Sequence, residues 1–212
     1  MKRLRFFISL VLTAYLFTSV CVAQVTNVLP DGAKYVGELK DGLANGRGIG
    51  MWTNGMNYVG EFKDGRMTGQ GVFTNPNGST CSGEFKDGVI TGRGVFTKTD
   101  GARYVGEFKN GMMDGQGALT VPGGIRYVGG YKNNQFSGQG TQTCPDGKEY
   151  VGGFETDNYN GQGTLTWPGG RQYIGQFKDG KKDGSGKMTY PDGRVEEGIW
   201  KDDKFFGAKT SP

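Results

Sequence analysis

Residues 104–120 read Tyr104-Val105-Gly106-Glu107-Phe108-Lys109-Asn110-Gly111-Met112-Met113-Asp114-Gly115-Gln116-Gly117-Ala118-Leu119-Thr120. This stretch returns every 23 residues, with its leading residue at Tyr35, Tyr58, Cys81, Tyr104, Tyr127, Tyr150, Tyr173 and Glu196. No insertion or deletion breaks the count. A fixed period of this length marks a repeat architecture, in which any short motif recurs for structural reasons.

Glycine is the second clue. The chain holds 41 glycines in 212 residues. All but six stand at five fixed places in the unit, the exceptions being Gly32, Gly50, Gly123, Gly130, Gly153 and Gly169. Glycine without order means low complexity; glycine in register means a repeated backbone geometry. Only 34% of residues are hydrophobic, against about 45–50% in ordinary domains. A thick closed core is excluded, and an elongated stack in which each unit packs on its neighbours fits.

Composition also narrows the chemistry. There is no histidine, which removes the usual general base, metal ligand and pH switch. The formal charge is +4, but residues 1–23 carry three of the 25 basic residues and no acid, so the rest stands at +1. A near-neutral chain leaves no footprint for nucleic acid.

The N-terminus reads as an address. Lys2, Arg3 and Arg5 precede an almost wholly apolar run from Phe6 to Ala23. Small residues at Cys21 and Ala23 suit signal-peptidase cleavage between Ala23 and Gln24. The alternatives are an uncleaved anchor formed by residues 6–23, since about 18 apolar residues just span a bilayer, and lipidation at Cys21. Each places residues 24–212 outside the cytosol, in a periplasmic or extracellular setting or anchored to a membrane. Of the remaining cysteines, Cys81 and Cys144 lie more than two repeats apart. Hairpins stacked with strands ~4.8 Å apart hold them beyond the roughly 4.4–6.8 Å Cα separation of a disulfide, so no internal bridge is expected.

Within residues 58–80 the first six alternate: Tyr58, Gly60 and Phe62 point one way, Val59, Glu61 and Lys63 the other. Period two is a half-buried strand. Asp64-Gly65 supplies a tight turn, Gln70 to Asn75 a second strand, and Pro76-Asn77-Gly78 another turn. Each unit is one β-hairpin, and the predicted fold is all-β: an elongated, twisted single-layer sheet of stacked hairpins. The third-position glycines, Gly37 through Gly198, leave a slot for a neighbouring ring. The Gly46 and Gly48 series are expected to flatten the second strand. Tyr35, Tyr58, Tyr104, Tyr127, Tyr150 and Tyr173 form one aromatic ladder; Phe62, Phe85, Phe108, Tyr131, Phe154 and Phe177 form another. On the opposite face Glu38, Glu61, Glu84 and Glu107 run beside Lys40, Lys63, Lys86 and Lys109, offering surface ion pairs.

The pattern Tyr-x-Gly-x-Phe-x-x-Gly-x-x-x-Gly-x-Gly resembles the MORN (membrane occupation and recognition nexus) repeat. The resemblance covers residues 35–207, with seven full units and a truncated eighth that keeps Gly198, Trp200 and Gly207 and looks like a cap. Residues 1–23 are then the signal peptide or anchor, 24–34 a partial unit and 208–212 a tail. Cys81 and Glu196 depart from the leading Tyr; Asn134, Asp157 and Asp203 depart from the turn Gly.

Several motifs have plainer explanations. Gly-Gln-Gly suggests a phosphate loop, but such a loop opens a helix and here a strand follows. One Asp per Asp-Gly turn is too few for calcium, which takes about 6–8 oxygens. Asn77-Gly78-Ser79 is a glycosylation sequon that turn chemistry explains equally well. No nucleophile–base pair is visible, so an enzyme is not expected, and neither a cofactor, a metal site nor a small-molecule substrate is.

More informative is a variable stripe just before the unit's proline: Trp52, Asn75, Lys98, Val121, Cys144, Trp167 and Tyr190. Trp52, Trp167 and Tyr190 are candidate partner-binding residues, since such side chains dominate hot spots; shielding of turns is the alternative. The expected role is a non-catalytic exported scaffold that binds a protein partner or itself. The alternative, which the family resemblance raises, is binding of acidic phospholipid headgroups, with Lys109, Arg126, Lys132 and Lys178 as candidates, although no basic cluster of four to eight appears.

Overall fold

Alternation at period two, interrupted by paired turn residues, has one outcome in an antiparallel meander: each strand bonds to the strand before it and the strand after it. The computed structural model describes residues 26–29 and 32–208 and shows this arrangement. The strands are β1 (Thr26–Val28), β2 (Lys34–Lys40), β3 (Leu43–Met51), β4 (Asn57–Lys63), β5 (Arg66–Thr74), β6 (Thr80–Lys86), β7 (Val89–Thr97), β8 (Arg103–Lys109) and β9 (Met112–Val121). They continue as β10 (Ile125–Lys132), β11 (Gln135–Thr143), β12 (Glu149–Glu155), β13 (Asn158–Thr166), β14 (Gln172–Lys178), β15 (Lys181–Thr189), β16 (Val195–Lys201) and β17 (Lys204–Gly207). Every pair of chain neighbours is antiparallel, giving one open single-layer sheet with β1 and β17 outermost. The signal-peptide reading of residues 1–23, cleavage between Ala23 and Gln24, and the tail beyond Ala208 lie outside the described residues.

The hairpin differs in one respect from expectation. The second strand begins at Arg66, directly after the turn, and not at Gln70. Asp64 (φ 48°) and Gly65 (φ 79°) are both left-handed, the mark of a two-residue type I′ turn, which matches the natural strand twist and lets pairing start at once. Gly60 then faces Gly71 while Glu61 faces Thr68. Gly69 and Gln70 are left over as a bulge within the hairpin and pair across to Phe85 and Glu84 of the next one. The Gly46 series is therefore not a flattening device. Gly69 sits at φ 55° and Gly115 at φ 115°, and these residues form the bulge.

The three turns without glycine carry a compensating contact. Asn134, Asp157 and Asp203 adopt φ of 70°, 66° and 69°. Short polar side chains tolerate that region, and here they also bond. The Asn134 side-chain oxygen accepts from the Met113 amide at 2.8 Å, Asp157 from Phe136 at 2.7 Å and Asp203 from Lys182 at 3.0 Å. Each backbone N–H returns a bond to the same residue's carbonyl. A turn glycine makes only the second of these, as Gly88 does with the Met67 carbonyl.

The core lies on one face. Tyr35, Tyr58, Tyr104, Tyr127, Tyr150 and Tyr173 are essentially inaccessible. The opposite, outer face carries exposed β-branched residues such as Val59, Val105, Val151 and Ile174. Ion pairs between the Glu38 and Lys40 series do not form there; the salt bridges are others, such as Lys132–Asp114 and Lys201–Asp183. The fourth-position side chain serves the bulge instead. A Glu107 carboxylate oxygen accepts from the Gln116 amide at 3.2 Å, and the Gln176 side chain accepts from Ser185 at 2.9 Å.

Candidate partner-binding groove

Each leading tyrosine folds back over its own strand. The Tyr58 hydroxyl donates to the Thr68 carbonyl at 3.0 Å, and the Tyr127 and Tyr150 hydroxyls to the carbonyls of Gly130 and Gly153 at 2.9 Å. A β-carbon on Gly60 or Gly71 would meet the Tyr58 ring. The slot left by the third-position glycine thus holds the ring of its own repeat. Burial pushes the hydroxyls of Tyr58, Tyr104, Tyr127, Tyr150 and Tyr173 up to about 12.

Like does not stack on like. The expected tyrosine and phenylalanine ladders interlock into one zigzag of edge-to-face contacts. Tyr58 meets Phe62 of its own repeat at 5.2 Å and Phe85 of the next at 5.0 Å. The series Tyr104–Tyr131–Tyr127–Phe154–Tyr150–Phe177–Tyr173–Trp200 runs without a gap. The quadrupole favours this geometry over a face-to-face stack.

A row absent from the expectations lies beside it: Ala44, Met67, Ile90, Met113, Phe136, Tyr159, Lys182 and Phe205, two residues past each turn. Phe136 stacks flat on Tyr127 and Tyr159 on Tyr150, both at 3.7 Å. The row carries no common residue type, which hid it; its constant offset from the turn was the available signal.

Trp52, Trp167 and Tyr190 also lie on the core face, half-buried and packed against the core. The three are not brought together. Their backbones close the turns: the Trp167 amide donates to the Arg171 carbonyl and the Gly170 amide to the Trp167 carbonyl. The core face therefore presents two rows that vary from repeat to repeat, and its character changes along the sheet.

Toward the N-terminal end it is apolar. Cys81 stands where a ring belongs, so no aromatic links Phe85 to Phe108. Ile90 leans into part of the space, its Cδ1 lying 2.7 Å from where a β-carbon on Gly94 would sit. What remains is a recess of about 420 Å³ lined by Trp52, Met56, Met67, Phe73, Cys81 and Ile90, among others. Burial raises the Cys81 thiol to about 11, so it sits there as a small hydrophobe. Cys81 and Cys144 are both free.

Toward the C-terminal end the same face is cationic and aromatic. Arg171 lies over the Trp167 ring at 4.1 Å and Arg194 over Tyr190 at 4.4 Å. Lys182 lies over Trp200 at 4.4 Å, and burial lowers its ammonium below the ordinary range. Glu196, in place of a leading tyrosine, accepts a 2.8 Å bond from the Tyr190 hydroxyl. Among the described residues no cluster of three or more metal-ligating side chains occurs, and no helix is long and apolar enough to cross a membrane.

Comparison with known proteins places the repeat. The profile of the MORN repeat matches residues 35–56, 58–80, 81–103, 104–126, 127–149, 150–170 and 173–193. No curated protein matches the chain. Among solved structures, the Drosophila melanogaster SAS-4 (dCPAP) TCP domain in complex with a proline-rich motif of Ana2 (dSTIL) is similar at 10% identity, over 92% of this chain and 96% of that one, with a TM-score of 0.43. The wild-type TCP10 domain of Danio rerio CPAP is similar at 18% identity, over 88% and 100%, with a TM-score of 0.31. Both are distant likenesses.

Proposed function

Because the chain belongs to the MORN repeat family, we propose that it is a non-catalytic, exported scaffold whose core-face groove holds a protein partner. One observation carries the reading: the recess at Cys81, apolar and open, bounded by Trp52, Met56 and Met67. A monomeric fold gains nothing from an unfilled apolar hollow, whereas an interface gains an anchor pocket. The rest of the unit is consumed by the fold, and the two variable rows are where specificity resides. Export rests on Lys2 to Ala23.

The test is crosslinked affinity capture of the full chain, made with its own N-terminal segment, alongside Trp52→Ala, Trp167→Ala and Tyr190→Ala. A partner lost from Trp52→Ala at an unchanged melting temperature supports the groove. Partners retained by all three variants, or losses that track melting, refute it.

Headgroup binding has one favouring observation: cross-strand basic pairs stand at the hairpin tips, Lys63 opposite Arg66 and Lys178 opposite Lys181. Carboxylates interleave with them, as in Arg66–Asp87 and Lys181–Asp202, and Lys132 is held by Asp114 at 3.1 Å. Co-sedimentation with anionic vesicles at low salt tests this reading, and absence of binding removes it.

A further inference from the structure

One face of the sheet is filled by its own rings. The other carries an apolar row on which, among the described residues, nothing packs. The row takes one residue from each strand, and each member stands directly opposite the next. It runs from Val36 on β2, through Ile49, Val59 and Val72, past Val105 on β8, to Ile174 on β14. No member is charged. Ile49, Val59, Val72, Val105, Val128 and Val151 are between 38% and 49% exposed. Strand propensity alone does not demand valine. Thr74, Thr97, Thr120 and Thr143 supply β-branching in polar form two residues further along the same face. The row stops at Lys187 and Glu197, which pair with one another at 3.5 Å.

The residues that flank the row are complementary to themselves. On each strand one outer-face side chain lies two residues before the row and another two residues after it. On β2 these are Lys34 and Glu38, on β4 Asn57 and Glu61, and on β8 Arg103 and Glu107. From β2 to β14 no strand carries the same charge on both flanks. An acid takes the first flank only at Glu149, and there the second flank holds Gly153 in place of glutamate.

We propose that two copies pack outer face on outer face, about a two-fold axis that runs along this row. The contact goes beyond the groove reading and leaves the groove free. Such an axis sets each member of the row against itself and exchanges the flanks of every strand. Arg103 then meets Glu107 of the second copy, and Lys34 meets Glu38. A two-fold axis along the strands would instead set Glu107 against Glu107 and Arg103 against Arg103, so charge selects the first. Thirteen strands at ~4.8 Å spacing make the row about 58 Å long, and its flanks make it about 13 Å wide. The resulting area of roughly 750 Å² is close to the ~800 Å² per partner of a stable interface. The contact is isologous and closes as a dimer. It supplies the second layer that a lone sheet lacks. The pair presents its two grooves in opposite directions, which makes the scaffold bivalent.

The test uses the full chain with Cys21→Ala, Cys81→Ala and Cys144→Ala, adding Val36→Cys, Val105→Cys or Ile174→Cys singly. A bis-maleimide of about 10 Å reach matches the spacing of stacked sheets. All three variants are expected to give a covalent dimer, and Met112→Cys, at a hairpin tip away from the axis, none. A dimer from Val105→Cys alone would show the other two-fold axis and overturn the proposal. So would no dimer from any of the three, or an equal yield from Met112→Cys. With Cys21 restored, a crosslink from Val105→Cys to Cys21 within one copy would assign the face to the chain's own N-terminal segment and likewise overturn it. Arg103→Glu, combined with Val105→Cys, should cut the dimer yield at low salt. Adding Glu107→Gln should restore it, since Gln176 serves its bulge as Glu107 does. A yield indifferent to both changes would refute the charge pairing. If the cysteine-free chain does not fold, Val105→Lys alone, which copies Lys187, should shift sedimentation from dimer to monomer at an unchanged melting temperature. No shift overturns the proposal. A chain that is monomeric yet loses its groove partner on Trp52→Ala sinks this contact and leaves the groove reading standing.

Discussion

The Tyr104 hydroxyl donates a 2.9 Å hydrogen bond to the carbonyl of Glu107 on its own strand. The ring reaches it by lying flat across Gly106 and Gly117, whose facing Cα is 2.6 Å from where a Gly106 β-carbon would sit. The Gly117 backbone cannot retreat, because it is paired with both neighbouring strands, opposite Gly106 and Gly129. Gly106→Val should therefore expel the ring and unfold its repeat. Overpacking alone costs about 1–3 kcal/mol, and the lost tyrosine contacts add to it. Circular dichroism melting is the check, and an unchanged curve would refute the account.

Tyr131 replaces the usual phenylalanine. It is 5% exposed, and its hydroxyl has no hydrogen-bond partner. A buried unsatisfied hydroxyl costs about 1–3 kcal/mol. Tyr131→Phe should raise the melting temperature while leaving the ring contacts to Tyr104 and Tyr127 in place. A fall in melting temperature would show that the hydroxyl is satisfied in solution.

Cys81→Tyr should destabilise on its own, by about 1–3 kcal/mol, since Ile90 already leans over Gly83 and Gly94. Paired with Ile90→Met, which copies the Tyr58–Met67 and Tyr104–Met113 arrangements, it should restore a continuous ring series and recover or exceed the starting stability. The double variant also closes the recess. If the groove reading holds, partner capture falls while melting does not, a split that calorimetry and capture together resolve.

Alkali should unfold the chain. Five tyrosines have native hydroxyls pushed up to about 12 by burial, whereas an unfolded tyrosine ionises near 10. Between these values the unfolded state has released protons that the native state still holds, so stability falls as pH rises. Below about pH 10 the contribution is intact. Phenolate absorbance and loss of strand signal should appear together; phenolate formation well before unfolding would contradict the burial.

The period, the hairpin and the one-sided core were legible because Tyr58, Gly60 and Phe62 repeat without a slip. The bulge was not, since Gly69 reads alike as a flattener or as a left-handed residue and only pairing distinguishes them. The zigzag was missed because a 23-residue count aligns Tyr58 with Cys81 and Tyr104, whereas each ring's nearest neighbour belongs to the other series. Trp52, Trp167 and Tyr190 were visible as a stripe. The row from Ala44 to Phe205 was not, because neither composition nor charge marks it. The Cys81 recess needed coordinates, for a missing ring shows in sequence only as a substitution.

The Asn134, Asp157 and Asp203 turns give the sheet a direction of unravelling. Each grips the preceding hairpin through two bonds where a glycine turn has one, and all three lie in the C-terminal half, where the flat-stacked Phe136 and Tyr159 also lie. In a stack whose stability is a sum over neighbours, fraying begins at the weaker end. Amide exchange should run fastest in β2–β5 and slowest around β11–β14. A pull on the N-terminus would peel hairpins singly before reaching the part that yields as a block.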